Sequence, residues 1–286
     1  MAKQIIRLTE SKLCELIKEG VTEALKLNEH IDEGIDFDPK TKQVSYNPSH
    51  ETNVDTSIEN NPEKDNSIVP NVNVWSIFKR KRGNVGEGNP LIYALKGEGW
   101  KFRSDEDRKA IEKQFHIIAD KFASLYPIGV TILIPSGSYL KDYIARVVMS
   151  KSENAQLIEG IILKMTTEEV ANIILYDDNC KFRQIYKNNF NSAFVQLGEY
   201  LEHMDKEREG YFSRHLVFND KMRDVIDMTL KASDDSYARF AKKINGQNVL
   251  IIDDPISREQ SIQNVCNIIK ESYAPRSITV FTLLSN

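Results

Sequence analysis

Apolar positions along the chain follow two different periods. "GVTILIPSGS" (129–138), "NVLII" (248–252) and "SITVFTLL" (277–284) are apolar runs bounded by turn residues, as in strands buried on both faces. Between them the spacing turns helical. Ile111, Phe115, Ile118, Ala119 and Phe122 form one face behind a Ser104–Asp107 capping box. Leu140, Ile144, Val147 and Val148 form another, with Ser138 as candidate cap, and residues 260–271 form a third. Thr166 and Glu169 make a second capping box. A long helix is expected from Lys181 to Met204, carrying Phe182, Tyr186, Phe190, Phe194, Leu197 and Leu201. "LIEGIILKM" (157–165) fits a strand or a buried helix equally. Strands alternating with helices predict an α/β fold with a mostly parallel sheet flanked by helices.

The front of the chain differs. Leu13, Leu16, Ile17, Val21, Ala24 and Leu25 recur at helical spacing, so residues 1–27 are read as an amphipathic helical arm. Its stripe, over residues 9–26, would dock on its own domain, on a second copy or on a protein partner. Residues 28–73 are polar, rich in Asn and without a period, and read as a disordered linker. Within them "GIDFDPKTKQVSYNP" suggests a weak hairpin turning at Asp38-Pro39-Lys40. The folded body is expected over 74–286. Inside it "GNVGEGNP" reads as a flexible connection and "KASDDSYARF" as a mobile loop over the site.

Composition narrows the function classes. The formal net charge of −4 gives no global attraction to nucleic acid or to an anionic membrane. The one basic run, Lys79-Arg80-Lys81-Arg82, reads as a solvated connector. No apolar run approaches the roughly 18 residues of a spanning helix, and the start has no apolar signal-peptide core. Cys14, Cys180 and Cys266 are far apart, which argues against a zinc ribbon or a disulfide framework and fits a reducing cytoplasm. The histidines show no metal-ligand spacing.

The candidate chemistry lies in "VLIIDDPISREQS" (249–261). Asp253 and Asp254 sit where a core strand ends, and open parallel sheets bind ligands outside those ends. Their carboxylates can accept from sugar hydroxyls or hold a hydrated metal ion. The helix after Gln260 would offer unpaired N–H groups and a positive dipole to an anion. Ser257 and Ser261 add hydroxyls and Arg258 a cation. Together these suit a sugar phosphate; the plainer reading is a strand end followed by a helix cap. Asp177-Asp178 reads as a cap for the next helix. Lys141, one turn into its helix, would reach either a phosphate or solvent.

This stretch resembles the signature of type I phosphoribosyltransferases, in the form found in glutamine-dependent amidotransferases, where an arginine also stands at the Arg258 position. "ILIPSGSYLKDYIARVV" resembles that family's first strand and pyrophosphate loop. "NPLIYALKGEGWKF" is similar to the preceding segment in ComF-like members, and Arg223 in "NDKMRDVIDMTLK" matches an arginine before their hood strand. The resemblance spans roughly residues 88–286. It implies that Asp253 and Asp254 hold the ribose and indirectly place Mg2+. It implies that Ser257, Arg258, Glu259, Gln260 and Ser261 cradle the 5′-phosphate, and that Ser136, Gly137 and Ser138 hold pyrophosphate. The ligand would be phosphoribosyl pyrophosphate or a nucleotide, with transfer to an unidentified acceptor. Two departures stand out: Glu259 replaces a turn glycine, and the cysteine-rich N-terminal module of many ComF-like chains is absent. An alternative keeps the fold without catalysis, as a nucleotide sensor or an assembly protein.

Overall fold

The computed structural model of the protein describes residues 34–47, 53–67, 69–80, 89–135, 139–152, 154–207, 210–213, 216–226, 229–253 and 259–284. The expected arm over 1–27 lies outside these residues.

The centre is a parallel sheet whose strands are β5 (Asn73–Arg80), β7 (Val130–Leu133), β8 (Gln156–Ile158), β11 (Asn248–Ile252) and β12 (Ser277–Leu284). Their spatial order is β5–β12–β11–β7–β8, with every neighbouring pair parallel. Helices α1 (Asn89–Lys96), α2 (Asp105–Leu125) and α3 (Leu140–Met149) cover one face. There Phe122 stacks on Phe281 with ring centroids 4.0 Å apart. Helices α8 (Ser236–Ile244) and α9 (Glu259–Ser272) cover the other through Phe240, Ile244, Ile262, Val265 and Ile269. The predicted α/β architecture with a mostly parallel sheet is therefore present. Val249 and Ile251 face one helical layer while Leu250 and Ile252 face the other, which is why the strand is apolar throughout.

The segment expected as a disordered linker is largely structured. Strands β1 (Gly34–Asp38), β2 (Gln43–Asn47) and β3 (Val54–Asp55), with β4 (Glu63–Asp65), extend the sheet antiparallel beyond β5, and β6 (Lys101–Phe102) joins β2. The hairpin at Asp38 forms, with the Asp38 carboxylate accepting from Lys40 N at 2.9 Å. Single apolar anchors, Ile35, Val44 and Val54, bury against α1 and α2 and hold the strands without any long apolar run. The Asn-rich stretch is a bulge between β3 and β4. Asn61 Nδ2 donates to the carbonyls of Asp55 and Ser57, and Lys121 Nζ donates to those of Ile58 and Asn61. The first half of the basic run is not a free connector either, while Lys81 and Arg82 lie outside the described residues. Lys79 and Arg80 belong to β5, Arg80 is buried, and Lys79 pairs with Glu63 at 2.7 Å.

"LIEGIILKM" resolves into two short strands, β8 and β9 (Ile162–Lys164), parted by Gly160 at φ +76°. Strand β9 pairs antiparallel with β10 (Leu230–Ala232) in a separate small sheet. Between them lies a helical insertion with its own core: α4 (Thr167–Tyr176), α5 (Lys181–Ile185), α6 (Phe190–Glu207) and α7 (Asp220–Val225). The Thr166–Glu169 capping box opens α4 as expected. The single helix expected over 181–204 is broken at 186–189. Lys187-Asn188-Asn189 favours turns over helix interiors, and the break lets Phe182 meet Phe190 edge to face. Cys180, not the Asp177-Asp178 pair, caps α5; Asp177 closes a turn onto Asn179 N and Asp178 pairs with Arg183. "KASDDSYARF" is β10 followed by α8 rather than a loop, because Ser236, Phe240 and Ile244 recur at helical spacing and are buried.

Candidate active site at the strand ends

The site follows from the topology. After β7 the chain passes through α3 to β8 on one side; after β11 it passes through α9 to β12 on the other. The carboxyl ends of β7 and β11 therefore flank a topological switch point, where open α/β sheets form a ligand crevice. The crevice is held by main-chain bonds beyond the strand ends. Ile134 N donates to Ile252 O at 3.1 Å, and Asp253 N donates to Phe281 O at 3.2 Å. These bonds fix Asp253 between β7 and β12, where it is 8% exposed.

Of the residues singled out in the sequence, Asp253 stands in this crevice. Ser261 lies in the first turn of α9, half-buried. Glu259 and Gln260 open that helix. Its start at Glu259 gives that residue a helical backbone, a conformation any L-residue adopts. Asp254, Ser257 and Arg258 lie outside the described residues, as do Ser136, Gly137, Ser138 and the "GNVGEG" part of the glycine-rich stretch. Helix α3 follows an N-cap at Tyr139, whose side chain makes no capping bond; the candidate cap Ser138 lies outside the described residues. Arg223 sits on α7, which packs on α5 in the helical insertion.

Two further features stand beside the crevice. The first is Lys141, read as reaching phosphate or solvent. It is buried, and its Nζ donates to Ile134 O at 3.0 Å, at the crevice itself. The second is a cleft of about 480 Å³ that starts at Pro135, beside the crevice, and runs under the β9–β10 sheet. Leu163 and Tyr211 give it apolar wall, and Lys164, Lys231 and Glu169 give it charge. Lys231 Nζ donates to Glu169 Oε1 at 2.5 Å, and Glu169 Oε2 accepts from Thr166 N at 2.9 Å. The bond from Lys231, then that from Thr166 N, holds the Glu169 carboxyl below its ordinary range. The same pairing pushes the Lys231 ammonium up. A sequence signal existed for Glu169: a capping-box glutamate uses one oxygen on its helix and keeps another for a partner.

Cys266, buried in the β11–α9 layer, has its thiol pushed up to about 12 by burial and is an inert core residue. Among the described residues no three histidine, cysteine or carboxylate side chains converge as a metal site, and no helix is long and apolar enough to cross a membrane. Comparison with protein-family models, with curated proteins and with solved structures gave no match.

Proposed function

We propose that this protein binds a ribose 5-phosphate compound, phosphoribosyl pyrophosphate or a nucleotide, across the ends of β7 and β11, in a domain of the type I phosphoribosyltransferase kind. One observation carries the reading: the segment resembling that family's signature ends β11 at a topological switch point, with Asp253 held at the strand end and α9 opening six residues later. Asp253 and Asp254 accept from the ribose hydroxyls. The 257–261 turn and the start of α9 receive the 5′-phosphate, and the 136–138 loop receives pyrophosphate. Arg223 is assigned to the ligand by resemblance alone. One or two carboxylates suit Mg2+, which takes its other ligands from phosphate oxygens and water. Bound there, the ion would neutralise charge on the departing pyrophosphate.

Transfer would break the bond from ribose C1 to pyrophosphate and form one from C1 to the acceptor, whose proton goes to solvent. The chain contributes position and charge stabilisation rather than a general base. The cleft under β9–β10 is the compartment open to the acceptor, since it begins at Pro135 beside the crevice.

Titration calorimetry with Mg2+ and phosphoribosyl pyrophosphate tests this on wild type and Asp253→Asn. The expected outcome is micromolar binding to wild type, weakened about tenfold or more in the variant, as for a lost charge-assisted hydrogen bond. Equal binding to both proteins, or to neither, overturns the reading. Binding without pyrophosphate release against a panel of nucleobases and amines assigns the same site to a non-catalytic nucleotide sensor.

A further inference from the structure

The cleft beside the crevice has a volume of about 480 Å³, inside the range of roughly 300–1,000 Å³ found for small-molecule sites. Its walls are held by main-chain bonds. Phe212 N donates to Met165 O at 3.0 Å and Thr167 N to Gly210 O at 2.8 Å, so Tyr211 is bridged to Thr166 along the continuation of β9. On the other side Met165 N donates to Thr229 O at 3.0 Å. A wall tied from both sides holds its side chains in place before a ligand arrives, which lowers the cost of binding. On that wall Leu163 and Tyr211 remain 38% and 47% exposed.

The polar part of the lining places both signs of charge side by side. Lys231 stands opposite Leu163 in the β9–β10 register, so its stem and the leucine share one face of the small sheet. An ammonium has three N–H donors. Among the described residues Glu169 is the hydrogen-bond acceptor of Lys231, and Asp234 attracts it more weakly. The Glu169 carboxylate has about four acceptor sites, more than its bonds to Lys231 and Thr166 fill. Both head groups are half-buried and line the cleft, as does Lys164. As a unit the Lys231–Glu169 pair is neutral. It therefore suits a ligand that carries both charges rather than a multiply charged anion.

We propose that the cleft binds a free amino acid with an aromatic side chain. The ligand carboxylate accepts from Lys231, its ammonium donates to Glu169, and its ring packs on Leu163 and Tyr211. The two charged groups of an amino acid hang on one carbon. They stand close together, as the joined head groups of Lys231 and Glu169 do, so the two dipoles pair head to tail. No covalent bond forms or breaks in this step. The inference rests on the lining of the cleft and goes beyond the phosphoribosyl reading, which bears only on whether the bound amine also serves as acceptor.

The test titrates the full chain, without Mg2+ or phosphoribosyl pyrophosphate, with L-phenylalanine, 3-phenylpropionate and phenethylamine. The three share a ring and differ in charge. Binding is followed by the Thr166 and Tyr211 amide resonances. The expected result is that phenylalanine binds about tenfold or more tighter than either analogue, as for a charge-assisted hydrogen bond gained. Lys231→Met should abolish the preference over phenethylamine, and Glu169→Gln the preference over 3-phenylpropionate. Thermal unfolding is recorded for each variant; should Lys231→Met not fold, Lys231→Gln decides. Equal affinity for the three ligands, no phenylalanine binding at millimolar concentration, or preferences that survive both substitutions would overturn the proposal. Phenylalanine binding of the expected pattern without binding of phosphoribosyl pyrophosphate keeps the cleft site and removes the phosphoribosyl reading. Phosphoribosyl pyrophosphate binding that needs Asp253, without phenylalanine binding, does the reverse.

Discussion

Two buried charges lie in the same helical layer and are treated oppositely. Asp107, on α2, is 5% exposed and fully engaged: it accepts from Tyr46 N at 2.8 Å, from the Arg103 guanidinium through two bonds at 2.9 Å, and from Ser104 Oγ at 2.9 Å. Lys141, on α3, is 9% exposed and has one carbonyl. The first arrangement closes on itself and pins the antiparallel extension to α2. The second ties α3 to the end of β7. The carboxylate with several partners locks two elements together, whereas the ammonium with one described carbonyl anchors a single helix to a single strand end.

The largest effect comes from removing what the two regions share. Phe122 is fully buried, stacked on Phe281 and edge-on to Trp75. Phe122→Ala should lower unfolding free energy by about 3–5 kcal/mol in denaturant titrations, while the molecules still folded at low temperature keep their ligand affinity. Next, Asp107→Asn separates the two roles. It leaves Arg103 and Tyr46 N with a weaker acceptor, at a cost of about 1–3 kcal/mol, with phosphoribosyl pyrophosphate affinity unchanged. A matched loss of affinity would mean that the two clusters are one network.

The acid response sharpens the contrast further. Burial pushes the Asp107 carboxyl up, but Arg103, Tyr46 N–H and Ser104 together outweigh it and hold the group below its ordinary range. A carboxyl lowered by folding contributes stability above its unfolded-state value, near 3.9, and loses it as pH falls through the folded value. Wild type should therefore lose stability faster than Asp107→Asn below about pH 4, read as denaturation midpoints between about pH 2 and 5. Parallel curves would contradict the assignment. The smallest effect is expected at the half-buried Glu169–Lys231 pair. Glu169 is also lowered, so its bonds persist at neutral pH and are lost only below the usual glutamate range. The Thr166 amide resonance should report that titration, and Glu169→Gln should abolish it.

The sequence made the double-faced strands and capped helices legible because their signals are local. β7, β11 and β12 are apolar runs, and Ser104 and Thr166 announce their helices. The antiparallel extension was missed for a physical reason. Its strands bury one anchor each, and its polar residues are spent on turns and on the Asp55–Asn61 bulge rather than on solvent. At the site, the strand-end position of Asp253 was readable, since the apolar run stops at the two carboxylates. Lys141 was also within reach. It stands four residues before Ala145 and seven before Val148, both buried, so helical arithmetic places it on the inner face. Only the sheet order, which no local pattern specifies, reveals that this face meets the end of β7 next to β11.

The central claim is the place and class of the ligand. A crystal structure of the full chain grown with Mg2+ and phosphoribosyl pyrophosphate at saturating concentration tests it most directly. The account predicts ligand density across the carboxyl ends of β7 and β11, with ribose hydroxyls at Asp253, the 5′-phosphate at the start of α9 and the pyrophosphate past the end of β7. Ligand bound elsewhere, or a crevice without ligand at that concentration, would contradict it.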